Sequence, residues 1–381
     1  MGLFKAATKA PHPKATDRRL RAARKALDSA ECCFARNCIV DALQCDQEAL
    51  RLGMDSEQGA FRRWTCYMML GDFECAWQET DRSEAGRRAR GDTTQQLPLH
   101  QRRVWNRLPL TNQRVLLRCY HGLGDTIQFV RFLPQLRKLA RGVIVQVQAA
   151  LLPLLNSLPD SERDVYIALD SGEVIPEYDV EIELMELPYA FRTTLTTLPN
   201  AVPYLQIPTE HVVTARKELN RTALTGAALK VGIVWSSGLW NPERNIALAN
   251  LATLGRISGV QLFSLQRGEG AKREMEIHGR TITPTERDSG TPLDTAAIIA
   301  NLDLVISVDT MVAHLAGALG KPVWTLLPFH ADWRWMVERD DSPWYPTMRL
   351  FRQRQPGDWG PVMERAADAL RQVAQKKLAG C

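Results

Sequence analysis

CYHGLGDTIQFVRFLPQLRKLA, residues Cys119–Ala140, is the stretch on which the reading of the fold turns. Just before it, RVLLRCY (Arg114–Tyr120) concentrates its apolar residues at Val115, Leu116 and Leu117, as a short buried strand does. After Asp125 the apolar residues fall at Ile127, Val130, Leu133 and Leu136, which is helical spacing. Between them lie His121, Gly122, Leu123, Gly124 and Asp125, so the pattern is strand, glycine turn, helix. Gly122 and Gly124 permit a sharp turn and a close approach to the backbone. Asp125 falls at the start of the helix, at the carboxyl end of a strand, where open α/β sheets bind ligands. Aspartate there is either a helix cap or a proton acceptor, and the pattern alone admits both. GLGD lacks the third glycine of the dinucleotide fingerprint, and a carboxylate in the turn would repel a phosphate. Both points favour proton transfer over phosphate cradling at this place.

Working outward, the 381 residues are enough for two or three domains. With 45% hydrophobic and 24% charged residues, the composition is that of a globular protein. No apolar run approaches the ~20 residues that span a bilayer, and the basic N-terminus has no apolar core of a signal peptide. The eight cysteines form no CxxC pair, so neither a zinc site nor a thioredoxin motif is expected. Reduced thiols point to the cytoplasm. Of the net charge of +5, residues 1–103 carry four, and Arg18, Arg19, Arg21, Arg24 and Lys25 cluster there. That cluster reads as a solvated face or as a contact to an anionic membrane surface or partner. No basic groove interleaved with aromatics suggests nucleic acid.

Toward the N-terminus, helical spacing begins at Asp17 and runs in consecutive helices to about Arg90, marked by Leu20, Ala23, Val40, Leu43, Phe61, Trp64, Met68 and Leu70. LGDFECAWQ (Leu70–Gln78) resembles the entry to the second helix of a tetratricopeptide repeat. About two units are visible, fewer than the ~3 usually needed for stability alone, so the module is expected to pack on the domain C-terminal to it. Toward the C-terminus strands and helices alternate. Strands are expected at 142–148, 165–169, 180–185, 204–207, 230–235, 260–265, 304–308 and 322–327, with 210–226 a polar linker. Helices are expected at 151–158, 251–257, 295–302, 311–319 and 362–378. This alternation implies two α/β units with a cleft between them.

A second constellation comes after the strand LVISV: Asp309, Thr310 and, one turn into the helix, His314. Asp309 or Thr310 can cap that helix, whose free N–H groups attract anions. PFHADWRWMVERDDSPWY (Pro328–Tyr345) is expected to be a loop with exposed aromatics, as a binding surface has.

HGLGDTIQFVRFLPQL, DLVISVDTMVAHLAGALGKPVW and LLPFHADWRWMVERDDSPWYPTMRLFRQRQPGDW together resemble bacterial glycosyltransferase family nine, the heptosyltransferase-type enzymes, in the branch with N-terminal tetratricopeptide repeats. The likeness runs from about Cys66 to the C-terminal helix. It implies a GT-B fold of two Rossmann-like domains, an α/β class preceded by a small all-α module. The organisation expected is a flexible tail at 1–16, the helical module at 17–95 and a connector at 96–112. Next come an acceptor domain at 113–212, a linker at 213–228, a donor domain at 229–355 and a C-terminal helix at 356–381. The resemblance further implies Asp125 as catalytic base, flanked by His121, Gly122 and Gly124. It implies a donor site of Arg244, Glu269, Asp309, Thr310 and His314, with no metal and no cofactor beyond the nucleotide-sugar co-substrate. The implied reaction is inverting transfer from a nucleotide sugar, ADP-heptose-like, to a glycan, lipopolysaccharide or protein hydroxyl. A cytoplasmic site, peripheral at the inner membrane face, and a protein partner on the helical repeats go with it. Two departures touch the donor side. SSGLWNPERN replaces a longer loop with GNP and several basic residues, and Met311 stands where glycine is common in relatives. A retired enzyme kept as a partner-binding scaffold is the alternative.

Overall fold

The computed structural model describes residues 13–92, 102–158, 160–169, 171–224, 229–238, 241–268, 274–275, 282–285 and 290–379. The chain divides into two compact units. One holds the N-terminal helices together with Asp332–Val337, and the other holds the remaining α/β portion.

The first unit has four helices in succession: α1 Pro13–Ala35, α2 Ile39–Arg51, α3 Glu57–Leu70 and α4 Phe73–Arg90. The first helix thus begins at Pro13, inside the expected tail, whose residues 1–12 lie outside those described. Short polar side chains start α3 and α4: Ser56 accepts the Gly59 N–H at 3.0 Å and Asp72 that of Cys75 at 3.1 Å. Gly71 ends α3 in the left-handed region, φ 80°, where a Cβ would be strained. The core comprises Ile39, Ala42, Leu43, Cys66 and Met69. Trp333 meets Trp64 edge to face at 5.4 Å, and the Val337 N–H bonds the Met69 carbonyl at 3.1 Å.

Several apolar residues that marked these helices face outward, among them Phe61 (69% exposed), Val40 and Leu20. Charged residues take the inward places beside Phe61. Arg62 grips Asp46 of α2 with two bonds of 2.7 Å, and Arg63 grips Glu79 of α4 at 2.9 and 3.1 Å and Asp55 at 2.8 Å. An apolar-periodicity reading misses this, because long arginines carry the burial.

The α/β unit contains two parallel sheets. The first has the order β3–β2–β1–β4, with β1 Arg114–Arg118, β2 Gly142–Val147, β3 Val165–Ala168 and β4 Val180–Glu183. The second runs β10–β9–β8–β5–β6–β7, with β5 Leu229–Val234, β6 Val260–Ser264, β7 Ile282–Thr283, β8 Leu304–Val308, β9 Val323–Leu327 and β10 Met348–Arg352. Buried on both faces, the central strands are continuous apolar runs, as parallel sheets require. The strand order reverses between β1 and β4 in one sheet and between β5 and β8 in the other. Crevices open at the carboxyl ends of such strand pairs.

Several expectations need correction. Residues 204–207 form no strand; Tyr204 instead bonds the Ala318 carbonyl at 3.0 Å. The expected linker overlaps a helix, Thr209–Arg221, polar because only a narrow stripe including Ala215 and Leu219 is buried. β4 stops at Glu183 and turns into a short 3-10 segment, Leu184–Glu186. The strands β7 and β10 were not foreseen. Trp335, Trp344 and Tyr345 are fully buried, so those aromatics of the 328–345 segment are core and not an exposed binding surface.

A buried pair that loses one partner leaves an uncompensated charge. Arg62→Met should therefore destabilise the helical unit by about 3–5 kcal/mol, read as a lowered urea midpoint in far-ultraviolet circular dichroism. Arg62→Met with Asp46→Leu should recover most of the loss, and equal destabilisation by both would refute this account.

Candidate functional site

The glycine turn closes on itself before it meets anything else. The helix after β1 spans Leu123–Phe129 with Gly122 at its N-cap, so Asp125 is the third helical residue and not the cap that the sequence suggested. Its Oδ2 accepts the Gly122 N–H at 2.9 Å. A carboxylate in the first turn satisfies an open amide and suits the helix dipole. The capping bond fixes the direction of this half-buried carboxylate. Gln148, after β2, clamps the turn: its Nε2 donates to the His121 carbonyl at 2.5 Å, and its Oε1 accepts from Thr126 Oγ1 at 3.0 Å.

Glu183, at the end of β4, is a group that sequence reasoning missed. It is 2% exposed, and its Oε2 lies 3.7 Å from His121 Nε2. Burial drives its carboxyl well above the ordinary glutamate value, and the negative charges of Glu186 and Asp125 push the same way against the Met185 N–H. Its sequence signal was faint: an acidic residue in an apolar strand, VEIELM.

The second sheet supplies the facing side. Asp309 follows β8, 2% exposed, and Thr310 caps the helix Met311–Ala318 by accepting the Val312 N–H at 3.3 Å. The helix carries buried His314, whose Nε2 lies 3.8 Å from Asp309 Oδ1. Arg244 reaches in from the loop after β5, with Nη2 3.5 Å from Asp309 Oδ2 and Nη1 3.5 Å from the Asp309 carbonyl. That loop is tied down by Gln266, whose Oε1 accepts the N–H groups of Trp235 and Ser236 at 3.1 and 2.9 Å. Asn245 Oδ1 accepts the Ser237 N–H at 2.8 Å. Glu269 lies outside the described residues.

The two helix starts come closest at Gly124. A Cβ on Gly124 would lie 2.9 Å from His314 Cδ2 and 3.3 Å from the Met311 α-carbon. Only glycine lets the Asp125 turn come this close to the Asp309–His314 helix. His121, Gly122, Gly124, Asp125, Arg244, Asp309, Thr310 and His314 therefore sit at the two strand-order reversals, joined along this seam. Such a site can take a proton on one side and hold an anion on the other. Among the described residues no group of three or more His, Cys, Asp or Glu is placed to hold a metal ion. Among them, too, no helix is long and apolar enough to cross a membrane.

No protein-family model matches the chain. Protein FlbA of Caulobacter vibrioides is 28% identical over 293 residues, 71% of this chain. The chain spans about half the length of that curated relative, 48%. The crystal structure of a glycosyl transferase of family 9 from Veillonella parvula matches with a TM-score of 0.51 and 13% identity, over 72% of this chain and 99% of that one. The ADP-heptose lps heptosyltransferase II of E. coli matches with a TM-score of 0.47 and 15% identity, over 69% and 99%. Over that span the chain shares the fold of the Veillonella protein.

Glu183 makes the site pH-sensitive with a definite sign. Its native affinity for a proton exceeds that of the unfolded chain, so its contribution to stability is complete below the ordinary glutamate value of 4.5. It is lost as pH rises through the elevated native value. Glu183→Gln should flatten this dependence and raise the urea midpoint on the alkaline side. Identical pH–stability curves for the two proteins would show that Glu183 holds no extra proton.

Proposed function

We propose that the chain is an inverting glycosyltransferase that moves a sugar from a nucleotide-sugar donor to a hydroxyl of a glycan, lipopolysaccharide or protein acceptor. The observation that carries this reading is the Gly124–His314 seam, which sets a carboxylate beside a helix N-terminus flanked by Arg244. In the reaction Asp125 takes the acceptor's proton as that oxygen attacks the anomeric carbon. The bond from that carbon to the diphosphate breaks with oxocarbenium character on the sugar. The electron pair leaves with the diphosphate, whose growing charge Arg244 and the amides after Thr310 stabilise. Metal independence belongs to this proposal and is supported by an arginine and a helix terminus standing where a cation would otherwise be needed. The motif likeness to heptosyltransferases supports an ADP-heptose-like donor. A cytoplasmic location, a tetratricopeptide character for α1–α4 and a protein partner on those helices are proposed with it. For the helical partner, the support is outward-facing Phe61 and Val40.

A panel of ADP-, UDP-, GDP- and dTDP-sugars should contain one that raises the melting temperature and is slowly hydrolysed; if none does either, the chain is not a nucleotide-sugar enzyme. Asp125→Asn should leave donor binding nearly unchanged and lower turnover by roughly two to four orders of magnitude, the worth of a general base. Arg244→Lys keeps the charge but loses the planar fork, so it should lower kcat more than donor affinity, whereas Arg244→Ala should lower both. Unchanged kcat, KM and diphosphate inhibition in both Arg244 variants would place the leaving-group contact elsewhere.

A further inference from the structure

His314 Nδ1 lies 2.9 Å from the hydroxyl of Tyr345, a residue to which neither sequence nor comparison assigns a role. Tyr345 is fully buried, and its ring is seated with little freedom. A Cβ on Gly317, one turn after His314, would come 2.5 Å from its Cδ1. On the ring lies the guanidinium of Arg131, 4.5 Å from the centroid. Arg131 is itself buried and comes from the first half of the site, just after the glycine-turn helix. Its donors go to the carbonyls of Gln128 at 2.7 Å and Trp344 at 2.5 Å, and to the Tyr204 hydroxyl at 2.9 Å.

The groups around His314 decide where its ring proton sits. Nε2 faces Asp309 at 3.8 Å, and that carboxylate, paired with Arg244, can only accept. A lone pair on Nε2 would point at negative charge, so Nε2 favours carrying the proton. In the neutral ring Nδ1 is then the acceptor, and the Tyr345 hydroxyl donates to it. A cation on the face of the phenol draws electron density from it and strengthens that donor. The Nε2 edge also faces the seam, 3.6 Å from the place a Cβ of Gly124 would occupy.

We propose that Tyr345, clamped by Arg131, is a positioning residue that holds His314 as the Nε2–H tautomer, a fixed neutral donor at the seam between the Asp125 turn and Asp309. Resting on the transferase reading, that N–H is aimed at an oxygen of the sugar diphosphate, and a neutral donor leaves the charge balance to Arg244. Fixing a tautomer through the second ring nitrogen is how proteins commonly set the direction of a histidine donor.

The test is nitrogen-15 correlation spectroscopy on the full chain with labelled histidine. His314 is assigned by the signal lost in His314→Gln or, if that variant does not fold, by substituting the six other histidines one at a time. In the wild type, Nε2 should give a protonated, pyrrole-type signal and Nδ1 an unprotonated, hydrogen-bonded one. Tyr345→Phe keeps the ring under Arg131 and should shift the Nδ1 signal and mix the tautomers. A proton on Nδ1 in the wild type, or an unchanged His314 spectrum in Tyr345→Phe, would overturn the proposal. The wild-type spectrum decides the tautomer even if the variant fails to fold. With a turned-over donor in hand, Tyr345→Phe should lower kcat roughly ten- to a hundredfold, as misplaced groups do, with donor affinity little changed. The expected spectra in a protein that turns over no nucleotide sugar would keep the Tyr345 assignment and refute the transferase reading alone.

Discussion

The absence of a side chain at Gly124 is the constraint on which the site depends. Two helices, one from each sheet, meet there at their amino-terminal ends, and the gap left by a missing Cβ is filled by the edge of His314. Everything with chemical potential is placed relative to that contact. Asp125 is the next residue on one side, and Asp309 stands beside His314 on the other. Each sheet contributes its own order reversal, and the glycine contact brings the two together.

The sequence carried much of this in plain form. Parallel strands buried on both faces announce themselves as apolar runs, and RVLLR, LVISV and the strand Leu229–Val234 were each found within a residue or two. The glycine turn and the Asp309–His314 helix were legible for a different reason: unusual residues at strand ends have few purely structural uses. Sequence patterns failed where burial does not follow hydrophobicity. The helix Thr209–Arg221 buries too narrow a stripe to rise above a polar linker. The core tryptophans of the 328–345 segment looked exposed because the charged residues between them hid their burial. Glu183 and Tyr345 matter through neighbours that are distant in sequence, so no local pattern reveals them.

Buried arginines in the helical unit and Arg131 in the α/β unit are partnered differently. In the helices, arginine–carboxylate pairs are buried between neighbours and specify which helix lies against which. Such pairs add little net stability over apolar substitutes, yet they penalise any arrangement that separates the partners. In the α/β unit the deeply buried cation Arg131 is met by carbonyls, a phenol and aromatic faces. These neighbours are neutral, so they leave its positive charge undiminished within a region proposed to receive a diphosphate.

Trp333 and Val337 complete the helical unit although they come more than two hundred residues after α4. During synthesis α1–α4 emerge well before Trp333, so their unit stays unfinished until nearly the whole second sheet has been made. Trp64 then waits, uncovered by its partner ring, for the time it takes to translate that interval. Closing so long a loop is slow compared with pairing neighbouring helices. The helices α1–α4 are thus sealed only after segments made later, and a chain cut short before Trp333 would leave that surface open to whatever meets it.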